Sequence, residues 1–309
     1  MRENQLSYNN TMEISALQPG TYIVAVSGGV DSMVLLDSLV KANFTDVRLV
    51  VAHANHGIRP DAREDRYLVE QFAKDHQLTF EFTSLLLGKN PSEDQARTAR
   101  HAFLQELKQK HSAQVILTAH HRDDMIETAL MNLRRGTGWR GIASLRDTTD
   151  YLRPLLSYSK KELYAYAKTY QVHWREDSTN TDLKYHRNVV RHQLLPMLEK
   201  NDPVFIESLY ALIKKQVTLR PYLEQAIEDF SKLYVNQRGL QLDIYRRLDG
   251  LVAVEVLRWF MRSQGVFLTR PQLERLAAFT KKANRNQKHS LTTGIFACRR
   301  DGLLVVERG

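Results

Sequence analysis

Four short apolar segments alternate with helical patterns along residues 22–119, and this alternation restricts the fold more than any other feature of the chain. Continuous apolar strands separated by helices are typical of a parallel sheet covered by helices on both faces. We therefore predict an α/β fold with a parallel sheet sandwiched by helices. The predicted strands are residues 22–26, 47–53, 79–83 and 114–119, and the predicted helices between them are 32–42, 61–77 and 92–111.

Ligands of such sheets bind beyond the carboxyl ends of the strands, so the residues directly after each strand are the first candidates for a site. Residues Ile23–Ser32 read IVAVSGGVDS and lead from the first strand into the first helix. They match neither a Walker loop, which requires a Gly-Lys-Ser/Thr ending, nor a dinucleotide fingerprint, which requires G-x-G-x-x-G. What remains is a glycine turn before a helix N-terminus.

Such a turn suits a pyrophosphate, because glycines allow backbone amides to approach a ligand and a helix N-terminus favours negative charge. The candidate phosphate-binding residues are Ser27, Gly28, Gly29, Val30, Asp31 and Ser32. The carboxylate of Asp31 would repel phosphate unless a divalent cation lay between them, so the pattern implies Mg²⁺.

A second group of polar residues follows the fourth strand, in the segment Thr118–Thr128, which reads TAHHRDDMIET. Asp124 and Glu127 are three residues apart and therefore share one face of a helix, while His120 lies at the strand end. A carboxylate pair beside an imidazole suits metal binding and the capture of an ammonium group.

The later part of the chain has a mainly helical pattern. Ser92 with Gln95 and Ser159 with Glu162 form predicted capping boxes. A helix is predicted over 182–199, kinked or ended by Pro196. Further helices are predicted to about residue 235 and over 249–263 and 270–282, followed by a terminal β-hairpin with an Asp301-Gly302 turn.

We predict three regions: an N-terminal tail (1–18), a catalytic domain (19–203) and a smaller, mainly helical C-terminal domain ending in the hairpin (204–309).

The composition, 43% hydrophobic and 26% charged residues, is that of a soluble globular protein. No apolar run reaches the roughly 20 residues of a membrane helix, and the polar N-terminus lacks a signal sequence. We expect a cytoplasmic protein without membrane association. The single cysteine, Cys298, excludes a disulfide framework and a thiolate metal cluster, and we interpret it as a buried apolar residue.

The net charge of +9 and the isoelectric point near 9.5 make a polyanionic partner plausible. Basic residues cluster at 134–140, 184–191 and 281–285. One such cluster alone is more typical of a solvated surface. Three clusters with Trp139 and Tyr185 among them favour RNA or DNA as a partner.

The SGGVDS segment resembles the PP-loop of the N-type ATP pyrophosphatases, which have an adenine nucleotide alpha hydrolase-like fold and cleave ATP to AMP and pyrophosphate while adenylating a substrate. Residues 118–138 resemble the HHxDDxxET…RGxG signature of the tRNA(Ile)-lysidine synthetases within that superfamily. The resemblance extends over about residues 20–200, through further segments at 51–59, 93–100, 153–156, 174–180 and 187–191.

The resemblance implies roles for individual residues. Residues 27–32, with Ala52, His53 and Arg97, would bind ATP, and Asp31 and Asp124 would bind Mg²⁺. The implied catalytic residues are Asp31, Arg100, His120, Asp124 and Glu127, of which the last three would line the pocket for lysine. The implied RNA-binding residues are Arg134, Arg135, Arg140, Arg187, Arg191, Lys281, Lys282 and Arg285; for Arg187 and Arg191 an outward helix face is an equal alternative.

The implied function is ATP-dependent ligation of free L-lysine to the wobble cytidine of the isoleucine tRNA with a CAU anticodon. Two alternatives stay open. The absence of further cysteines argues against a PP-loop tRNA thiolase, and the presence of Asp31, His120 and Asp124 argues against a non-catalytic tRNA-binding relative. Dimers occur among relatives, so the resemblance leaves a homodimer open.

Overall fold

A computed structural model describes residues 12–55, 62–85, 93–176, 186–236, 238–282, 284 and 286–309. Parts of several predictions lie outside these residues: Ser92 of a predicted capping box, Lys184 and Tyr185 of the second basic cluster, and Arg285 of the third. The chain divides into two compact units, the first ending at Val217 and the second beginning at Thr218.

The first unit contains the predicted parallel sheet. Its strands are β1 (Gly20–Ala25), β2 (Val47–Asn55), β3 (Thr79–Ser84), β4 (Val115–Leu117) and β5 (Tyr151–Leu152), paired in the order β3-β2-β1-β4-β5. All four pairings are parallel. The fold class predicted from the strand-helix alternation is confirmed, and β5 is a short edge strand that the sequence pattern did not reveal.

The helices of the first unit are α1 (Val30–Ala42), α2 (Ala62–Asp75), α3 (Glu93–Lys110), α4 (Arg122–Arg134), α5 (Trp139–Ile142), α6 (Lys160–Thr169), α7 (His186–Val189) and α8 (Leu195–Asn201). A long helix, α9 (Pro203–Tyr234), follows. The predicted capping box at the start of α6 is present, with Ser159 accepting a hydrogen bond from the Glu162 amide. Within the described residues, no helix has both the length and the apolar character needed to cross a membrane.

Both faces of the sheet are buried, which explains why its strands are apolar throughout rather than alternating. Ile23, Val50 and Ile116 face α3 and pack with Leu104 and Leu107 of that helix. The next residue of each strand points to the opposite face, where Val24, Val51 and Leu117 join a core formed with α1, α2 and α6. The strand ends are thereby fixed from both sides.

A separate core fixes α4 against the segment that follows α7. Met125, Ile126 and Ala129 of α4 pack with Leu195 of α8 and Ile206 of α9. Between α7 and α8 the chain forms one π-helical turn, Val190–Leu194, and Pro196 lies in the first turn of α8, where a missing amide is tolerated. Of the two predicted effects of Pro196, a kink or an end of the helix, the end does not occur, because the helical path continues to Asn201.

The second unit contains α10 (Leu242–Tyr245), α11 (Gly250–Ser263), α12 (Arg270–Lys282) and an antiparallel sheet of β6 (Val235–Asn236), β7 (Gly239–Gln241), β8 (Lys288–Thr292), β9 (Ile295–Arg300) and β10 (Leu303–Arg308). The strand order is β6-β7-β10-β9-β8. The predicted hairpin is confirmed as β9 and β10, joined by Asp301 (φ 45°) and Gly302 (φ 78°). Cys298 in β9 is fully buried.

The division between the units falls inside α9, whereas the sequence pattern predicts a boundary at residues 203 and 204, where this helix starts. The Asn201-Asp202-Pro203 segment does interrupt the helical pattern, because it ends α8 and begins α9. The turn motif therefore indicates the end of helix α8. The boundary between the two units depends instead on how the side chains of α9 pack.

One buried hydrogen bond joins α6 to α1 and should contribute measurably to the stability of the first unit. The Tyr166 hydroxyl donates to Oδ2 of Asp37 at 2.8 Å, and Lys41 also contacts that oxygen at 2.7 Å. We expect Tyr166→Phe to lower the free energy of unfolding by about 1–3 kcal/mol, because a buried carboxylate loses a hydrogen-bond donor. Denaturant unfolding of the first unit measures this change.

Tyr170→Phe is the matched control, since it removes a hydroxyl from the adjacent ring, 4.4 Å away between centroids, and keeps the bond to Asp37. Equal stability losses in the two variants would contradict the assigned role of the hydrogen bond.

Candidate functional site

The glycine turn after β1 is held by contacts from neighbouring elements. The Val26 amide donates to the Ala52 carbonyl at 2.9 Å, and Gly28 has a φ of 94°, which residues with a Cβ atom rarely adopt. A Cβ atom on Gly28 would also lie 3.3 Å from Cβ of Asp65. Helix α1 then begins at Val30, after Gly29, which has no side chain to accept hydrogen bonds from the first-turn amides. Those amides therefore suit an anion.

Two serines tie the turn together. The Ser32 hydroxyl donates to the Gly29 carbonyl at 2.9 Å, and the Ser27 amide donates to the Ser32 hydroxyl at 3.1 Å. The two hydroxyl oxygens are 3.1 Å apart. Ser27 and Ser32 therefore bond to each other and to the loop backbone, so the loop shape is set before any ligand binds.

Ala52 and His53 lie beneath the loop, and both are buried. Nδ1 of His53 is 2.8 Å from the Val26 carbonyl oxygen, and the imidazole stacks on Phe82 with 5.9 Å between centroids. Burial lowers the pKa of His53. These two residues, predicted to contact a nucleotide, fix the position of the loop in this structure.

Each acidic residue of the predicted site has a basic partner. Asp31, in the first turn of α1, accepts hydrogen bonds from Nζ of Lys160 at 2.7 and 2.8 Å. Asp124 and Glu127 lie on one face of α4, as their spacing predicts. Arg187 and Arg191 make five hydrogen bonds to this pair, at 2.6–3.0 Å.

This pairing has a physical cause. Only 1% of the Glu127 side chain is exposed, and an isolated buried carboxylate would be strongly destabilising. Arg187 lies in α7 and Arg191 in the following π-helical turn, so both guanidinium groups reach the same side of α4. The proposed outward-facing position of these arginines does not occur here, and their direct partners are the predicted catalytic carboxylates.

His121 links the two acids that were predicted to share a cation. Its Nε2 atom is 3.8 Å from Oδ2 of Asp31 and 3.4 Å from Oδ2 of Asp124, and its backbone amide donates to the same Asp124 oxygen at 3.0 Å. The side chain is buried. The carboxyl ends of β1 and β4 therefore bring Asp31 and Asp124 to one imidazole.

His120 lies beside Asp124 and is neutral near pH 7. Its pKa is lowered to about 4, mainly because the ring is removed from solvent, and the positive charges of Arg153, Arg187 and Arg100 act in the same direction against Asp124. The Thr118 hydroxyl is 2.9 Å from Nδ1 of the ring. A neutral imidazole in this position can accept a proton. Arg97 and Arg100, predicted to face phosphates or the base, are exposed on α3.

Four of the predicted RNA-binding residues, two in each unit, are exposed at the ends of helices. In the first unit, Arg134 and Arg135 are exposed at the end of α4, and the Arg140 guanidinium lies 4.2 Å from the centroid of the Trp139 ring. In the second unit, Lys281 and Lys282 are exposed at the end of α12, and Nζ of Lys281 donates to the Leu248 carbonyl at 3.1 Å. Arg285 lies outside the described residues.

Comparison with known proteins assigns the chain to a family. The sequence pattern of the PP-loop domain matches residues 3–198. The tRNA(Ile)-lysidine synthase of Thermotoga maritima is 31% identical over 299 residues, which are 94% of this chain and 71% of that protein. The chain belongs to the tRNA(Ile)-lysidine synthase family.

Other family members agree over shorter regions. The tRNA(Ile)-lysidine synthase of Exiguobacterium sibiricum is 38% identical over 230 residues, 73% of this chain and 55% of that protein. The enzyme of that name from Geobacter sulfurreducens is 39% identical over 274 residues, 80% of this chain and 58% of that protein. The chain thus spans little more than half the length of these two relatives.

The fold also matches a solved structure, that of the U34-tRNA thiolase NcsA from Methanococcus maripaludis. The TM-score is 0.55 with 16% identity, over 67% of this chain and 76% of that one. At this identity the likeness concerns the fold alone.

The PP-loop domain of the family implies ATP binding, and the acids of this site fit the Mg²⁺ that would accompany it. Among the described residues, no group of three or more His, Cys, Asp or Glu side chains could hold a metal ion. Mg²⁺ does not need such a cage, because it commonly binds one or two carboxylates together with waters and substrate phosphates. Asp31 and Asp124 supply two carboxylates near the same imidazole. Each could bind the metal through an oxygen that its basic partner releases.

The sequence patterns assign no functional role to three residues of the site, Lys160, His121 and Arg175. The Arg175 amide donates to the Gly28 carbonyl at 3.0 Å, and its guanidinium binds Asp65 at 3.0 Å. The places of these three residues within or beside the sequence motifs were the one available signal of a functional role. Most of their contacts could not be predicted, because the partners lie far away in the chain.

The free energy of unfolding at low pH tests how strongly the neighbouring positive charges stabilise the ionised Asp124 carboxylate. Burial would raise the pKa of this carboxyl, but His121, Arg187, His120 and Arg191 outweigh that effect and lower it from 3.8 to about 2. The folded-state pKa lies below the unfolded one, so this group stabilises the fold above about pH 4, and the contribution is lost as the pH falls toward 2.

We therefore expect Asp124→Asn to lower the free energy of unfolding by about 2 kcal/mol at pH 7 and by about half of that at pH 3. Denaturant unfolding at the two pH values measures the difference. Asp123→Asn, at the neighbouring acid that accepts from the Lys160 amide at 3.1 Å, is the control. A stability loss at Asp124 that does not change with pH would refute the electrostatic explanation.

Proposed function

We propose that this protein ligates the ε-amine of free lysine to C2 of the wobble cytidine in the isoleucine tRNA with a CAU anticodon. The reaction consumes ATP, passes through an adenylated base, releases AMP and pyrophosphate, and changes AUG-type to AUA-type decoding. It would take place in the cytoplasm. The observation that carries the proposal is the meeting of Asp31 from the PP-loop and Asp124 from the family motif at the His121 imidazole.

In the first step, the 2-oxygen of the cytosine attacks the α-phosphate of ATP, and pyrophosphate leaves. The amides in the first turn of α1, which has no side-chain cap, would hold the phosphates, because a helix N-terminus favours negative charge. Mg²⁺, when bound by Asp31 and Asp124, would neutralise the charge that develops on the departing pyrophosphate. The product is a base whose oxygen has become a good leaving group.

In the second step, the lysine amine attacks C2 and AMP leaves. Asp124 and Glu127 already bind two guanidinium groups, so this pair is suited to a cationic side chain such as the lysine ammonium. The amine must lose a proton before it attacks. His120 would accept it, because its imidazole is unprotonated at pH 7 and lies beside Asp124; its low pKa makes this transfer uphill, so the attack on C2 has to drive it. Arg187 and Arg191 would shift to admit the lysine.

The reaction must bring together a tRNA, ATP and lysine, and correct orientation of such groups is worth roughly 7–11 kcal/mol. An extended grip on the tRNA would supply this orientation. The exposed arginines of α4 and the Arg140–Trp139 pair provide positive charge and an aromatic surface in the first unit, and Lys281 and Lys282 provide charge in the second.

The thiolase alternative has less support. The single cysteine, Cys298, is fully buried in β9, and burial raises the pKa of its thiol, which disfavours the thiolate needed for sulfur transfer or metal binding. The binder alternative does not explain why three acids, two histidines and three basic residues converge at the PP-loop.

Incubation with ATP, radiolabelled lysine and the CAU-anticodon isoleucine tRNA tests the function directly. We expect label in the RNA and one AMP released per lysine transferred. Asp31→Asn should abolish ATP consumption while tRNA binding persists, because only the charge at the PP-loop is removed. Asp46→Asn, at an exposed acid just before the amino end of β2, is the control and should behave as wild type. Normal turnover by Asp31→Asn would exclude the assigned role of this carboxylate.

The proposed tRNA surface of the second unit can be tested through salt dependence. Replacing Lys281 and Lys282 together by Gln should weaken tRNA binding and lower the slope of log Kd against log salt by about 1–2, because each phosphate contact contributes about 0.9. Lys232→Gln is the control, since that lysine is already paired with Glu228 at 2.7 Å. An unchanged slope in the double variant would argue against this surface.

A further inference from the structure

Lys160 is the basic residue that contacts the PP-loop acid. Its Nζ atom is 2.7 and 2.8 Å from the two carboxylate oxygens of Asp31, and about a third of each side chain is exposed. The backbone of Lys160 is fixed independently of this ion pair. It begins α6 after the Ser159 capping box, its amide donates to Asp123, and Tyr166 further along the helix bonds to Asp37 of α1.

The position of Asp31 explains why a cation is needed there. The carboxylate lies in the first turn of α1, next to the amides that would hold phosphates, so without a counter-ion it would repel an incoming triphosphate. The Lys160 ammonium removes that repulsion in the protein without ligand.

The chemistry of lysine suits a counter-ion that changes partners. The ammonium is a compact charge with three donors on a flexible stem, whereas an arginine fork favours one planar partner. Partial exposure of the pair keeps the energy of breaking it low. With its backbone anchored, the side chain can turn from a carboxylate oxygen to a phosphate oxygen nearby without movement of α6.

We propose that Lys160 neutralises Asp31 in the nucleotide-free protein and, when ATP and Mg²⁺ bind, releases Asp31 to the metal and binds the phosphates. The inference rests on the proposed function, because it requires ATP at the PP-loop. Lys160 is thus a positioning residue before ATP binds and a phosphate ligand afterwards.

This exchange has a thermodynamic signature. Without Mg²⁺, Lys160 is the cation that shields the phosphates from Asp31, so its removal should strongly weaken binding of metal-free ATP. With Mg²⁺, the metal shields Asp31. A variant without Lys160 then loses the contact of Lys160 with the phosphates, but this loss is offset because the variant has no Lys160–Asp31 ion pair to break. Removal of Lys160 should therefore make ATP binding more dependent on Mg²⁺.

The test measures the dissociation constant of ATP by calorimetry, in EDTA and in saturating Mg²⁺, for wild type and three variants. In Lys160→Met, we expect the ratio of the two constants (EDTA over Mg²⁺) to rise about tenfold above that of wild type, the effect of losing one hydrogen bond to a charged group. Lys161→Met removes the same charge from the next, exposed residue and should leave the ratio unchanged. Lys160→Arg keeps the charge and should stay within about threefold of wild type.

Each other outcome overturns the inference. A ratio in Lys160→Met within twofold of wild type, in a variant with an unchanged Tm, would mean that the ion pair is only structural. Equal ratios in Lys160→Arg and Lys160→Met would mean that the charge is not responsible. If Lys160→Met does not fold, Lys160→Gln replaces it in the same comparison. If the wild type itself does not bind ATP, the proposed function fails together with this inference. If the wild type binds ATP and only the variants deviate from expectation, the inference about Lys160 fails alone.

Discussion

Three carboxylates brought together at one edge of a parallel sheet are the constraint on which the rest of this site depends. Asp31 and Asp124 approach one imidazole, and Glu127 is almost completely buried one helical turn from Asp124. Such a group of like charges is stable only with cations beside it. Lys160, Arg187 and Arg191 supply them, and they come from elements that pack around the carboxyl ends of β1 and β4.

The same balance that makes the site stable also prepares it for its proposed reaction. A cluster in which acids are paired with protein cations can exchange a protein cation for a ligand cation with little change in net charge. The lysine ammonium and Mg²⁺ would both enter by such exchanges, one at Asp124 and Glu127 and the other at Asp31 and Asp124. Desolvation and nearby arginines keep His120 neutral near pH 7, which is the state that its proposed role as a proton acceptor requires.

The sheet supplies the rigidity that these exchanges require. Because both faces of the sheet are buried, the ends of β1, β2 and β4 are fixed in register. The glycine turn, which His53 contacts through the Val26 carbonyl, and the side chains of His120 and His121 therefore keep their positions relative to each other. The parts that are free to change partners are long side chains on α6, α7 and the π-helical turn. Side-chain movement on a fixed backbone is a less demanding way to admit a ligand than movement of whole elements.

The sequence by itself determined the parallel sheet, the glycine turn, the acid pair on α4, the terminal hairpin and the family. Each of these depends on local order: apolar runs, glycine position, a three-residue spacing, an Asp-Gly turn. Only the tertiary structure decided that Lys160 is the partner of Asp31, that Arg187 and Arg191 bind Asp124 and Glu127, that His121 joins two acids, and that the units divide inside α9. The contacts of Lys160, Arg187 and Arg191 join residues 60 or more positions apart. Electrostatic pairing depends on distance in space, which no local pattern of residues records.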